Sequence, residues 1–381
     1  MILTRKIRLY PTPEQEAIMW ASSNILNFAY NCALEHRLIL WKHRKFPSAY
    51  DQNKEITQIK KLLPELTEVD SQSLKAAVFS LEEGFRSWNT KRKNGDTSAR
   101  PPRFRSKYKY FTHELTQGIL IKDNKIRFNL GRKLSAESPM LRLAESPPEN
   151  YRSVYISKNQ EGWFASFYVQ KEEIPFVDNG KVLAADMGIK QFMAARSNEG
   201  RVFMSGSISK MTKHYDRKLD KIRSKRDLKK KNSTRYKRLT ETYRRVSQKK
   251  QNKVQDFLHK LSHKLANKFV ENTIVCGDLN PSKWKKSKNK KLNRSVQNNW
   301  VVSRFYGMME YKCKLYGKRF VKINEAYTSK TCSSCGLIHD MPLWRRQMEC
   351  SCGFSEDRDV NSAINILKRF YAQHGPALAA A

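Results

Sequence analysis

RFVKINEAYTSKTCSSCG, residues 319–336, and CSCGFSEDRDVNSAINIL, residues 350–367, decide how this chain folds. The first stretch alternates Arg319, Val321, Ile323 and Glu325 with Phe320, Lys322 and Asn324, the period-two pattern of a strand, and Glu325 lies near its end. Cys332 and Cys335 form one short thiol pair, Cys350 and Cys352 another, and four thiolates at this spacing suit one tetrahedral zinc ion. Asp357 and Asp359 follow the second pair and lead into a helical pattern of Ala363, Ile364, Ile366, Leu367 and Phe370. A small metal-knotted module would therefore hold Glu325 and Asp359 on either side of it.

Charge is the strongest message of the composition. In 381 residues, 74 basic side chains stand against 36 acidic ones, a net charge of +38. Such an excess asks for a polyanionic partner, because Lys and Arg release counterions when they neutralise phosphates. A basic ribosomal-type or membrane-surface protein is the competing class. The first residues, MILTRKIRLYPTPEQ, carry charge where a secretory leader needs an apolar stretch, and no apolar run is long enough to span a bilayer. An intracellular protein, cytoplasmic and nucleoid-associated, with no membrane partner is expected. Seven cysteines, four of them clustered, fit a reducing compartment with a metal site, and Cys32, Cys276 and Cys313 read as buried core thiols.

Outward from the motif, Thr4 to Tyr10 reads as a strand and Thr12-Pro13 as a helix start. Helical periodicity follows at Ile18 to Ala33, Asp51 to Leu63 and Ser71 to Lys93, until Pro101-Pro102 breaks it. Short strands are expected at Gly118 to Ile121, Lys125 to Leu130, Ser153 to Ser157 and Trp163 to Val169. Together with the opening strand they suggest a small β-barrel interrupted by a helical insertion. Val182 to Gly188 is an apolar strand that delivers Asp186 to its end, and two more strands follow at Gln191 to Arg196 and Arg201 to Met204. RNase H-like nucleases begin in this way. Residues 207–252 read as helices so rich in Lys and Arg that a face along a nucleic-acid backbone is the natural reading. Val254 to Phe269 is amphipathic, with His259 and His263 on its polar face. Ile274 to Asn280 is a buried strand, Ser282 to Arg294 a basic loop, and Trp300 to Leu315 a helix.

Hydrolysis of a phosphodiester through two hard cations needs several converging carboxylates. Asp186, Glu325 and Asp359 each stand at a strand end or helix start, where distant segments can meet.

At this point the sequence resembles a known family, the TnpB proteins of bacterial insertion sequences, with their relatives the Fanzor proteins and the type V CRISPR effectors. The matching stretches are Ile7-Arg8-Leu9-Tyr10-Pro11-Thr12, Pro102-Arg103-Phe104, Ala185-Asp186-Met187-Gly188-Ile189-Lys190, Gln255 to Ser262, Thr328 to Gly336, and Asp357 to Ile366. The resemblance implies an α/β multidomain protein. A RuvC (RNase H-like) nuclease domain, residues 179–331 and 353–372, would carry a zinc-ribbon insertion at 332–352. A β-barrel wedge domain, 1–10 and 106–178, would carry a helical recognition insertion at 11–105, and 373–381 would form a disordered tail.

The implied activity is RNA-guided cleavage of DNA beside a short transposon-adjacent motif. Partners would be double-stranded target DNA and a guide RNA from the transposon end, one protein chain per RNA. Asp186, Glu325 and Asp359 would be the catalytic ligands of two Mg²⁺ ions, and Cys332, Cys335, Cys350 and Cys352 would hold one Zn²⁺. Tyr50, Gln52, Ser71, Gln72, Lys75 and Gln117 would read the DNA motif by local similarity, amides and Lys being able to address base edges. Asp357 would support the turn.

Two departures stand out. Most members place the catalytic glutamate in the strand before Leu279-Asn280, where this chain has Gly277, and Asp278 beside it faces the other way because successive strand residues alternate. Some branches carry the glutamate on the strand before the zinc motif instead, the position of Glu325. The alternative is that the middle acid is lost and the protein is a nuclease-inactive RNA-guided repressor. The second thiol hairpin is Cys-x-Cys, one residue shorter than the family's usual Cys-x-x-Cys.

Overall fold

The computed structural model describes residues 1–108, 112–115, 117–131, 140–159, 161–279, 301–342 and 344–375. The basic loop expected at Ser282 to Arg294 and most of the expected tail lie outside them. The chain forms two compact units, Met1–Lys171 and Glu172–Ala381.

In the first unit, strand β1 (Ile2–Tyr10) is followed by helices α1 (Pro13–Lys42), α2 (Ala49–Leu62) and α3 (Ser71–Lys93), then by six strands. These are β2 (Thr112–Leu115), β3 (Ile119–Lys122), β4 (Lys125–Phe128), β5 (Leu141–Leu143), β6 (Ser153–Asn159) and β7 (Gly162–Gln170). Helix α1 starts where its residues dictate. Thr12 accepts from the Gln15 amide at 3.3 Å while the Gln15 side chain accepts from the Thr12 amide at 2.9 Å, with Pro13 in the first turn. The seven strands pair in the order β2-β6-β7-β1-β5-β4-β3, all antiparallel. One face of the sheet buries Ile7, Leu9, Leu115, Ile126, Phe128, Leu141, Leu143, Val154, Ile156, Trp163, Ala165 and Phe167 in a single core, so the sheet curls around it. Among the described residues no pairing joins β2 to β3, and the expected closed barrel is an open curled sheet. The helices keep a core of their own around Leu34, Leu74, Val78 and Leu81.

The second unit contains β8 (Val182–Met187), β9 (Met193–Ser197), β10 (Val202–Met204), helices α4 (Ile208–Asp227) and α5 (Thr234–His263), a π turn (Lys264–Lys268), β11 (Thr273–Gly277), helix α6 (Val302–Leu315), β12 (Arg319–Ile323), the hairpin β13 (Gln347–Glu349) and β14 (Ser355–Asp357), and helix α7 (Arg358–His374). The five-stranded sheet runs β10-β9-β8-β11-β12. β9 is antiparallel to β8 and β10, whereas β8, β11 and β12 are mutually parallel neighbours. β8 and β11 read as almost uninterrupted apolar runs because the sheet is covered on both faces. Leu183, Ala185, Ile274 and Cys276 pack with Leu258, Leu261, Phe305 and Met309 from α5 and α6 on one face. Val182, Ala184, Val275 and Ile323 pack with Ile366 and Phe370 from α7 on the other. Helix α7 continues to His374, so the start of the expected tail is helical. The basic pair α4 and α5 touches through a narrow seam of Leu219, Ile222 and Val246. His259 lies 3.0 Å from Gln255 Nε2 and His263 Nδ1 3.3 Å from the Tyr316 hydroxyl, so both serve a polar helix face.

Candidate active site

Three parallel strands end on the same edge of the sheet, and an open α/β sheet gathers ligands outside its carboxyl ends. Asp186 is the penultimate residue of β8, Gly277 the last of β11, and Glu325 stands two residues beyond β12. Strand β12 lies in register with β11, Ile323 opposite Gly277, so the chain leaving β12 passes over the end of its neighbour. A Cβ added to Gly277 would sit 1.7 Å from Glu325 Oε2 and 2.7 Å from its Cδ. The Glu325 carboxylate thus fills the space that any side chain at position 277 would need. Asp278, next along, is exposed.

Asp359 enters from the other direction, as the second residue of α7. Asp357 caps that helix by accepting from the Asp359 amide at 2.8 Å and the Val360 amide at 3.4 Å. One turn on, Ser362 Oγ donates to Asp186 Oδ1 at 3.1 Å. Ser362 Oγ also lies 2.9 Å from Thr328 Oγ1, and the Thr328 amide donates to the Glu325 carbonyl at 3.2 Å. A short polar relay therefore links the three acid-bearing segments. Asp359 Oδ2 lies 3.7 Å from the place of a Cβ on Gly188, two residues after Asp186, and Asp359 pairs with the Arg346 guanidinium.

The electrostatics follow from crowding. Burial pushes the Asp186 carboxyl up to about 7, and the charge of Asp359 adds to this. Burial pushes Glu325 up to about 8, helped by the charges of Asp186 and Asp278. Like charges in a poorly solvated site resist ionising together. Glu325 Oε2 is buried without a hydrogen-bond partner. A cation would satisfy that oxygen and cancel the repulsion, so this donor set, all hard oxygen, fits Mg²⁺. The carboxylate oxygens are not all within 4.8 Å of one another, a closeness that only the four cysteines reach among the described residues.

The thiols of Cys332, Cys335, Cys350 and Cys352 all lie within 4.8 Å of each other. Cys332 and Cys352 Sγ are 3.8 Å apart, Cys335 and Cys350 Sγ 3.5 Å. A tetrahedron with metal–sulfur bonds of about 2.3 Å has edges of about 3.8 Å, so the set has the size of a zinc site despite its shortened hairpin. The Phe354 amide lowers the Cys352 thiol toward the thiolate a metal needs, whereas Cys335, despite the Leu337 amide, is raised by its hydrogen bonds to Cys350 and Cys352. The module is pinned to α7 by asparagines. Asn361 donates to the Thr331 carbonyl at 2.8 Å and accepts from the Ser333 amide at 2.9 Å, and Asn365 donates to the Thr328 and Thr331 carbonyls at 2.9 and 2.7 Å.

Of the residues expected to read DNA, Tyr50, Ser71, Gln72, Lys75 and Gln117 are exposed. Gln52 is not available. It is buried between α1 and α2, accepts from Arg37 Nε at 2.6 Å and donates to the Ala33 carbonyl at 2.8 Å, which leaves no amide edge for a base. Sequence reasoning also passed over Ser362, Arg346 and Tyr306, whose hydroxyl donates to the Gly277 carbonyl. Ser362 lies within the DRDVNS run, so its place one turn after Asp359 was open to view. Nothing in the sequence marks Arg346 off from its basic neighbours.

Three family models match the chain: "Cas12f1-like, TNB domain" over residues 303–366, "Probable transposase" over 166–290 and "Helix-turn-helix domain" over 1–45. The last label does not describe the fold here, since those residues form a strand and one long helix. A protein of Streptomyces pristinaespiralis named "Putative RNA-guided DNA endonuclease" is 30% identical over 377 residues, covering 95% of this chain and 88% of that protein. A TnpB-like protein of Acanthamoeba polyphaga mimivirus is 35% identical over 196 residues, 48% of this chain and 36% of its own length. Among solved structures, a Cas12f1 complex with guide RNA and target DNA superposes with a TM-score of 0.56 at 13% identity, covering 96% of this chain and 98% of that one. The mini-RNA-guided endonuclease Cas_phi3 superposes with a TM-score of 0.55 at 11% identity, over 97% and 92%.

Proposed function

This chain belongs to the TnpB family, and from that premise we propose that it is an RNA-guided DNA endonuclease of a bacterial insertion sequence. It cleaves DNA beside a short adjacent motif, guided by an RNA from the transposon end, one chain per RNA. The observation that carries the reading is the Glu325 carboxylate seated over Gly277 at the strand edge that also carries Asp186. An acid supplied from the neighbouring strand takes the space left open where most members have their own. The sheet order supports an RNase H-like reading of the second unit, and the net charge of +38 supports a nucleic-acid partner.

In this reading Asp186, Glu325 and Asp359 would hold two Mg²⁺ ions, whose chemistry would be to neutralise charge on a phosphodiester. Ser362 fixes the Asp186 carboxylate through its hydrogen bond, and the Asp357 cap aims Asp359 by starting α7 at the right residue. The Glu325 Oε2 atom is itself shielded from solvent and free to take a ligand. Cys332, Cys335, Cys350 and Cys352 would hold one zinc ion and with it the module that joins β12 to α7. Guide pairing reads most of the target sequence, and Tyr50, Ser71, Gln72, Lys75 and Gln117 are the exposed candidates for reading the adjacent motif.

The test is reconstitution with RNA that co-purifies from cells, followed by plasmid cleavage in Mg²⁺. Wild type should cut a matched target, while Asp186→Ala, Glu325→Ala and Asp359→Ala should bind it without cutting. Wild type that binds and never cuts would establish a guided repressor, and cleavage at full rate without RNA would establish an unguided nuclease.

A further inference from the structure

The first unit contains a concave surface beside Tyr50 in sequence and apart in sequence from Ser71 to Lys75 and Gln117. A cavity of about 440 Å³ opens between the end of α1, the α1–α2 linker and the second half of α3. That volume is within the ordinary range for small-ligand sites. Aromatic rings form its wall. Trp41 meets Phe46, Phe85 and Trp88 edge-on with ring centroids 6.2, 5.4 and 5.7 Å apart. Phe85 is core, but Phe46 is 71% exposed, which core packing does not explain.

The floor is polar and built. Arg37 is only 8% exposed, its guanidinium held by Gln52 Oε1 and Glu82 Oε2, each at 2.6 Å, and lying 5.6 Å from the Phe85 ring centroid. That pair is neutral as a unit. The rim is not. Lys45, Arg86 and Lys93 are exposed around it, and among the described residues none of them forms an ion pair. The last turns of α1 and α3 end nearby, and their basic residues, Lys42 and Lys91, Arg92 and Lys93, offset the negative ends of the two helix dipoles.

An exposed ring on an aromatic wall, a hydrogen-bonding floor and a cationic rim match the three parts of a nucleotide: base, edge and phosphate. We infer that this cavity is a subsite for one unpaired nucleotide of a single strand, its base stacked on Phe46 and its phosphates held by Lys45, Arg86 and Lys93. Stacking of this kind tolerates any base and is worth about 1–3 kcal/mol per base. A paired base would not reach the wall, so the subsite selects unpaired nucleotides. The inference rests on the first unit alone and stands whether or not the second unit cuts DNA.

The test uses the full chain and tetranucleotides carrying 5-iodouracil, one RNA and one DNA, cross-linked by ultraviolet light and mapped by mass spectrometry of tryptic peptides. Cross-links should fall on the peptides holding Phe46 or Trp41, drop about tenfold in Phe46→Ala and return in Phe46→Tyr. Removing the cationic rim in the triple variant Lys45→Ala, Arg86→Ala and Lys93→Ala should lower the salt dependence of binding by about 1.4 in log–log slope, at roughly 0.7 for each of the two phosphates flanking one nucleotide. The stronger of the RNA and DNA arms identifies the strand. Cross-links confined to peptides of residues 208–263, absent altogether, or unchanged in Phe46→Ala with the folded state intact by circular dichroism would overturn the inference.

Discussion

Gly277→Ala is the smallest perturbation that tests the carboxylate centre, because it adds one methyl group at the point where two strands share a single volume. Its Cβ would stand 1.7 Å from Glu325 Oε2, 2.7 Å from Cδ and 2.9 Å from Cβ, where ordinary contact begins at 3.4 Å. The carboxylate must retreat by about 1.7 Å to reach ordinary contact, since the three atoms nearest the new methyl group all belong to that one side chain. Misplacing a reacting group by about 1 Å can cost about 10²-fold in rate, so cleavage by the RNA complex in single-turnover plasmid assays should fall by about 10²-fold or more. Overpacking costs about 1–3 kcal/mol, a melting-temperature loss of about 2–4 °C per kcal/mol in a unit of this size. Target binding should hold, because no phosphate contact changes. In a Glu325→Gly background the same substitution should cost nothing further in cleavage, since the two changes act through one side chain. Asp278→Ala, at an exposed position, should leave the rate within a fewfold of wild type. Gly277→Ala cutting at the wild-type rate, or Asp278→Ala alone abolishing cleavage, would refute the assignment of Glu325.

Two further outcomes are expected. The purified protein should contain one zinc per chain by elemental analysis. Its removal by a strong chelator, or Cys350→Ser, should loosen residues 328–336 in hydrogen exchange and lower cleavage with Asp186 untouched, because Asn361 and Asn365 tie that turn to α7. Acid should weaken the first unit through His113, which burial pushes down to about 4. A folded value below the unfolded 6.5 means that its contribution is complete above pH 6.5 and is lost as pH falls toward 4, a few kcal/mol by linkage. Denaturant titrations between pH 7 and 4 should show this slope, and His113→Leu should remove it; a slope unchanged in that variant would show that other groups set the acid limit.

The strands and helices were largely legible because their signals are local. Alternation placed β1, β6, β7 and β12, the Thr12-Pro13 start placed α1, and the helical periodicity from Ser71 placed α3. Strand β5, three residues long between loops, offers too little alternation to see, and it holds β1 and β4 together in the sheet. Gln52 shows the limit for single residues. Its chemistry suits a base edge, but the packing of α2 on α1 turns it inward onto Arg37, and no local pattern carries that information.

The sequence by itself determined that acids stand at strand ends and a helix start, that four cysteines have metal spacing, and that the chain carries an excess of positive charge. Each of these is a property of neighbours along the chain. Only the tertiary structure decided which distant segments come together. The parallel register of β11 and β12 carries Glu325 over Gly277, and the Ser362 hydroxyl ties α7 to Asp186 across 176 positions of sequence. Close approach between distant segments depends on how the sheet and helix pack against each other, and a glycine that looks like a missing catalytic residue in one dimension is, in three, the recess that lets another residue in.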